Sequence, residues 1–135
     1  MKEKLYKNFS LSLIIINFWS ICMFFDSFTE PPGLFAGFRT LAYFLYTMMF
    51  AIILGIIVIS FRIIMRKKQN ENKQNFFYLF AGILNLNLLI IYVVATLLKL
   101  IYLDQGWIIV LAISNLLISF FILFDLLKMK EILED

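Results

Sequence analysis

The sequence predicts an all-α integral membrane protein, a four-helix bundle built from two hairpins with both chain ends on the same side. Three observations predict it. Four long apolar stretches occupy residues 9–25, 38–65, 76–98 and 107–127; the 135 residues are 63% hydrophobic and 16% charged; and a short basic break, with Arg62, Arg66, Lys67, Lys68 and Lys73, divides the chain near its midpoint. A soluble domain usually carries about 45–50% apolar and about 25% charged residues. A small domain also hides a lower fraction of its surface than a large one, so the apolar surplus here calls for lipid.

The first stretch, residues 9–25, follows Lys2, Lys4 and Lys7. That opening resembles a signal peptide, but no A-x-A-like cleavage site follows it. Ile21 before Cys22 is too bulky for a lipoprotein cleavage site. An uncleaved helix is expected. Residues 26–37 form an outer loop in which Pro31-Pro32-Gly33 stops the helix and marks a turn. The second stretch is longer than the roughly 20 residues a bilayer core requires, which implies tilt or an interfacial start. Residues 66–75 form a polar loop, residues 99–106 a second outer loop, and residues 128–135 a short charged tail. The whole chain is a single transmembrane domain on this reading.

Basic residues orient membrane chains by remaining on the cytoplasmic side. Three lysines precede the first stretch and five basic residues fall at the central break, whereas Arg39 and Lys99 are the basic residues of the two outer segments. Both termini and residues 66–75 are therefore expected in the cytoplasm. Richness in Ile, Phe, Lys and Asn suggests an AT-rich bacterial genome and hence the cytoplasmic membrane of a bacterium. Tyr6 and Trp107 suit interfacial anchoring.

The halves also align as hairpins. Phe9 on Phe77 superposes Asn17 on Asn85, and Ile59-Ser60-Phe61 matches Ile118-Ser119-Phe120. Chance matching in a chain dominated by Ile, Leu, Phe and Asn is the plainer account; a parallel tandem repeat is the alternative.

Lipid tails are as apolar as leucine, so small and hydrogen-bonding residues must draw the helices together. Each stretch supplies them at helical spacing: Ser10, Asn17, Ser20 and Ser27; Thr47, Ala51 and Gly55; Tyr78, Gly82, Asn85, Tyr92, Thr96 and Lys99; Ala112, Asn115 and Ser119. All four stripes are expected to face inward. Asn17, Asn85 and Asn115 should bond one another, a backbone carbonyl or a trapped water, because an unpaired amide in hydrocarbon is costly. Asn87 lies about 200° around its helix from Asn85 at ~100° per residue, which puts it at a second contact or leaves it merely tolerated. Packing is the plain role of this polar set, including Ser20, Thr96 and Ser119; lining a cavity for a solute or ion is the sharper one.

The charged residues gather at the ends of the stretches. Asp26, Glu30, Arg39, Lys99 and Asp104 form a candidate outer ionic cluster, with a solvated, headgroup-facing surface as the bland account. Arg62, Arg66, Lys67, Lys68 and Lys73 fix orientation, and could hold anionic lipid headgroups at about 1 kcal/mol each. Asp125 is expected to pair with Lys128 or with the central break. As a catalytic group it would need a second polar group beside it, and none is evident from the sequence. Five phenylalanines, Phe24, Phe25, Phe28, Phe35 and Phe38, crowd the outer end of the first hairpin.

No ionisable residue falls near the middle of any stretch, which argues against a proton-coupled pump. Histidine is absent and Cys22 is the only cysteine. The usual zinc site, a His-ligated haem and a disulfide framework are thereby excluded, and no metal or cofactor is expected. Nucleic acid is not an expected partner, because the basic run is short and no soluble domain accompanies it. The favoured function is non-enzymatic: helix contact as an accessory subunit, or as a regulatory or immunity-type partner, within a membrane complex. Membrane lipids, other membrane-protein subunits and the chain itself are the expected partners. An oligomeric channel or carrier for a small polar solute or ion is the alternative. A lipid-modifying intramembrane enzyme using Asp26, Glu30 or Asp125 comes last.

Overall fold

The computed structural model describes residues 2–29, 31, 33, 37–66, 76–98 and 106–134. These form four α-helices: α1 Lys2–Thr29, α2 Phe38–Arg66, α3 Phe76–Leu97 and α4 Gly106–Glu134. Each contains a stretch long and apolar enough to cross a membrane: Tyr6–Asp26, Phe38–Ile64, Phe76–Leu97 and Gly106–Lys128. Helix α1 begins seven residues before the apolar stretch expected from residue 9, and α4 runs seven beyond residue 127. The cause is simple: a polar turn continues the backbone hydrogen-bond ladder as readily as an apolar one, so the apolar run marks what can be buried rather than where the helix ends.

The breaks follow local chemistry. Helix α1 stops at Thr29, two residues before Pro31, which has no amide hydrogen to give. Gly37 has φ +86°, a backbone region open to glycine and strained for residues with a Cβ. Its carbonyl then accepts the Leu41 amide at 3.0 Å, which sets the first turn of α2.

Pairs of touching residues fix the topology. Asp26 meets Arg39, Asn85 meets Ala51, and Tyr78 and Arg62 both meet Asp125. The Gly82 backbone lies against Ile122 and that of Gly55 against Ile118. Consecutive helices therefore run antiparallel, up-down-up-down, and both chain ends share the Asp125 end of the bundle.

The helices are not equivalent. Helix α3 touches all three others, and α2, α3 and α4 close on one another as a triangle. Helix α1 lies outside it, against α2 and α3; among the described residues it does not touch α4. The share of the apolar stretch that is buried runs from 11% in α1 to 44% in α3. The main core joins Ile16 of α1, Phe44, Met48 and Ala51 of α2, Leu79, Ile83, Leu84 and Leu88 of α3 and Ala112 of α4. A second cluster, Val58, Tyr78, Ala81, Ile118 and Ile122, fills the Asp125 end.

Small residues allow the close approach. A Cβ on Gly82 would lie 2.6 Å from Ile122 Cγ2, and a Cβ on Gly55 would collide with Ile118 Cγ2. The Thr47, Ala51 and Gly55 ridge is buried throughout, and so are Ala112, Asn115 and Ser119. In α3 the stripe is buried at Tyr78, Gly82 and Asn85, half-buried at Tyr92 and exposed at Thr96. Thr96 stands in the last turn and bonds its own helix, at the Tyr92 carbonyl.

The stripe expected for α1 needs correction. Ser10 and Asn17 are exposed, and Ser20 is half-buried. The face that packs carries Ser12 and Ile16 instead, buried at 0% and 2% exposure. A helix contacting two neighbours on one side can seat one arc, and Ile16 claims it. Asn17, the next residue, is turned ~100° away.

The two halves also differ in burial where they align. Asn17 is exposed where Asn85 is buried, and Ser60 is exposed where Ser119 is buried.

Candidate functional site

Polar side chains collect at three levels along the bundle. At the lower end, Asp125 of α4 accepts hydrogen bonds at Oδ2 from Arg62 Nε of α2 (3.2 Å) and Tyr78 Oη of α3 (3.1 Å). The Arg62 guanidinium carbon also stands 5.7 Å from the centre of the Tyr78 ring, within cation–π range. The Arg62 and Asp125 side chains are 21% and 13% exposed, so water screens the pair only in part. One carboxylate thus clasps the triangle α2–α3–α4. This is the second polar group that the sequence did not reveal beside Asp125, and two of them are present. Of the partners expected for Asp125, the structure supplies the central-break residue Arg62, whose charge is compensated within the bundle rather than held out to lipid headgroups. Arg66 closes α2; Lys67, Lys68 and Lys73 lie outside the described residues.

The signal for this clasp was present in the sequence. Arg62 falls one turn before Arg66, inside the apolar stretch, and Asp125 falls inside the fourth. A charge within an apolar stretch usually has a partner, and these two have opposite signs and matching depth.

At the middle level, Asn85 is fully buried and donates through Nδ2 to the carbonyls of Ala51 (2.9 Å) and Ala81 (2.8 Å). Asn115, also fully buried, donates to the Leu111 carbonyl of its own helix (2.8 Å). Each therefore uses a backbone carbonyl. The Oδ1 atoms of both are buried without a hydrogen-bond partner among the described residues. Ser119 is buried and bonds the Leu116 carbonyl at 2.9 Å. Ser12 bonds the Asn8 carbonyl at 2.8 Å, and Ser20 the Ile16 carbonyl at 3.0 Å. Asn87 has a second contact, as its position around α3 suggested, and the contact is internal: its Nδ2 lies 3.4 Å from Ser20 Oγ on α1.

At the upper end, Arg39 and Asp26 form an ion pair at 3.0 Å. Arg39 also donates to Asp26 Oδ2, to the Asp26 carbonyl and to Thr29 Oγ1 at 3.1–3.3 Å. Two members of the expected outer ionic cluster are thus joined, tying the end of α1 to the start of α2. Glu30, Lys99 and Asp104 lie outside the described residues. The Phe24 and Phe28 rings meet edge to face at 4.8 Å at the same end of α1. Among the described residues no group of three or more acidic or cysteine side chains could hold a metal ion.

Two features of α1 remain. A groove of about 450 Å³ separates it from α2, walled by Ile15, Ile16 and Trp19 of α1, by Tyr43, Tyr46, Thr47 and Phe50 of α2, and by Phe80 and Leu84 of α3. Its surface is almost wholly apolar, with no charged side chain in the wall. On the other flank stands Asn17, at the centre of the Tyr6–Asp26 stretch, exposed. Among the described residues its amide has no hydrogen-bond partner. Sequence reasoning placed Asn17 inside because its spacing to Ser10 and Ser20 looked like a packing stripe; spacing along one helix does not reveal that α1 meets its neighbours through the Ser12 and Ile16 face.

No family model, no curated protein and no solved structure matches this chain.

Proposed function

We propose that the protein is inserted in a bacterial cytoplasmic membrane with both termini cytoplasmic, and that it acts there by helix contact, as an accessory or regulatory subunit of a membrane assembly. Insertion is supported by a surface of large apolar side chains on every helix, among them Phe18, Tyr46, Leu97 and Phe120, each about two-thirds or more exposed. Water would not tolerate such a surface; lipid does. The basic residues at the start of α1, and Arg62 and Arg66 at the end of α2, lie at the Asp125 end and support the orientation.

The observation that carries the contact reading is Asn17. In the hydrocarbon centre its amide would lose its water and gain nothing from lipid, a cost of a few kcal/mol. A neighbouring helix supplies the missing partners. The interior of the α2–α4 triangle supports the same reading, because the Nδ2 groups of its asparagines bond backbone carbonyls and the Arg62–Asp125 ion pair sits at an end. Tagged full-length chain, extracted in mild detergent and analysed by mass spectrometry and by mass in solution, tests it. A partner, or a second copy, is expected with the native chain and is lost with Asn17→Leu. A chain that is always alone and monomeric refutes it.

A second reading, an oligomeric channel or carrier, has one observation in its favour: the unpartnered Oδ1 atoms of Asn85 and Asn115. Flux of ions or small polar solutes through liposomes, abolished by Asn85→Leu, would support it. Tight liposomes in every oligomeric state would remove it.

A further inference from the structure

We infer that the partner of Asn17 is the Asn17 of a second copy, and that α1 is the helix through which two chains pair side by side in the membrane. The inference rests on the helix-contact reading and names its partner.

Asn17 does not stand alone. Ser10, Ile14, Asn17, Ile21, Phe24 and Phe28 are all exposed, and they recur at alternating steps of four and three residues. That is the spacing of a coiled-coil seam, with Ser10, Asn17 and Phe24 at one core position and Ile14, Ile21 and Phe28 at the other. From Ser10 to Phe28 the seam rises about 27 Å at 1.5 Å per residue, close to the thickness of a bilayer core of about 30 Å. It faces away from Ser12 and Ile16, by which α1 grips its own bundle. Pairing through it leaves the fold of each chain untouched.

The occupant follows from symmetry and chemistry. Copies inserted in one membrane share an orientation, so their α1 helices are parallel and place Asn17 at equal depth. A two-fold axis along the membrane normal then brings each seam residue opposite its own counterpart. A carboxamide has both a donor and an acceptor, so two Asn17 side chains satisfy each other reciprocally; a hydroxyl or a charge would not do so as well. The seam holds no charged side chain that would select a different partner or repel a like one. A single asparagine in an apolar seam fixes register and partner number, a role that an amide facing lipid could not have.

The test uses the full chain in liposomes at falling protein-to-lipid ratios. In a Cys22→Ser background, single cysteines are introduced as Ile14→Cys, Ile21→Cys or Ile15→Cys, and oxidative cross-linking is followed. Ile14→Cys and Ile21→Cys are expected to give covalent dimers. Ile15→Cys, in the groove wall, is expected to give none, and so is native Cys22, which lies about 140° around the helix from Asn17 at ~100° per residue. Energy transfer between labelled chains should show association weakened about tenfold by Asn17→Leu and largely retained by Asn17→Gln, which keeps the amide. Helical content checks that each variant folds; Asn17 supports no other described residue, so it should.

Monomers at every ratio, cross-linking that is equal at all four positions, or association indifferent to Asn17→Leu would each overturn the pairing. If pairing fails while Asn17→Leu still releases a different membrane protein from the extracted chain, the contact function survives with another partner. If nothing is released, both fall.

Discussion

Replacing Gly82 with alanine tests a close contact between α3 and α4. The added Cβ would lie 2.6 Å from Ile122 Cγ2 and 3.3 Å from Ile122 Cβ. Carbon atoms pack at about 3.5–4.0 Å, so Gly82 and Ile122 must part by roughly 1 Å. Ile122 is fully buried, and a β-branched side chain in a helix has one strongly preferred χ1. It cannot swing its Cγ2 aside, so α3 and α4 must separate. Overpacking of this kind costs about 1–3 kcal/mol, while alanine returns up to about 1 kcal/mol of helix propensity. The net effect of Gly82→Ala alone is therefore blurred, and a cycle sharpens it. Ile122→Leu keeps the volume, removes Cγ2 and should cost under about 1.5 kcal/mol by itself. With Ile122→Leu present the 2.6 Å contact is gone and only the milder one to Cβ is left, the propensity term cancels, and a coupling of about 1–3 kcal/mol is expected. Reversible unfolding of the purified chain by SDS in mixed micelles, followed by circular dichroism, measures all four variants. A coupling below about 0.5 kcal/mol would mean that α3 and α4 do not meet at Gly82 and Ile122, and the reasoning fails. One turn from this contact on either helix lie Tyr78 and Asp125, so a real separation should also weaken the clasp.

Asp125→Ala removes the acceptor shared by Arg62 and Tyr78 and should destabilise the chain by about 2–4 kcal/mol in the same assay. Asp125→Asn, which still offers Tyr78 an oxygen, should cost less; equal stability of the native and alanine proteins would show that the clasp is not formed. Arg39→Ala breaks an ion pair whose side chains are 42% and 32% exposed, so the loss should stay within about 1 kcal/mol. That small loss should shrink further as salt is raised, and a larger, salt-independent loss would place Arg39 in a buried setting it does not have here.

The sequence revealed which segments are helical and nearly which residues they span, because twenty or so apolar residues in a row leave the backbone no water to bond and the helix bonds itself. It also showed the Thr47–Ala51–Gly55 ridge and put Asn85 and Asn115 inward, and it set Asp26 and Arg39 in an outer cluster of five without singling out their pairing. Each of these depends on spacing along a helix, or on residues flanking a single loop. It offered Asp125 the central break as a partner, 63 residues away at Arg62, but not Tyr78, because the three side chains meet only once three helices have closed.

What the sequence determined by itself, then, was the set of four apolar helices and the polar residues each carries, since both are properties of one helix at a time. Tertiary structure decided which face of each helix is inside. Ser10, Asn17 and Ser20 satisfy the same periodicity as Ala112, Asn115 and Ser119, yet the first helix rests on α2 and α3 through the Ser12 and Ile16 face, whereas the fourth, with the same two neighbours, is wedged against Gly55 and Gly82. Periodicity supplies a stripe; the placement and closeness of the neighbours decide whether it faces inward to seal a core or, as at Asn17, outward with its amide still to be satisfied.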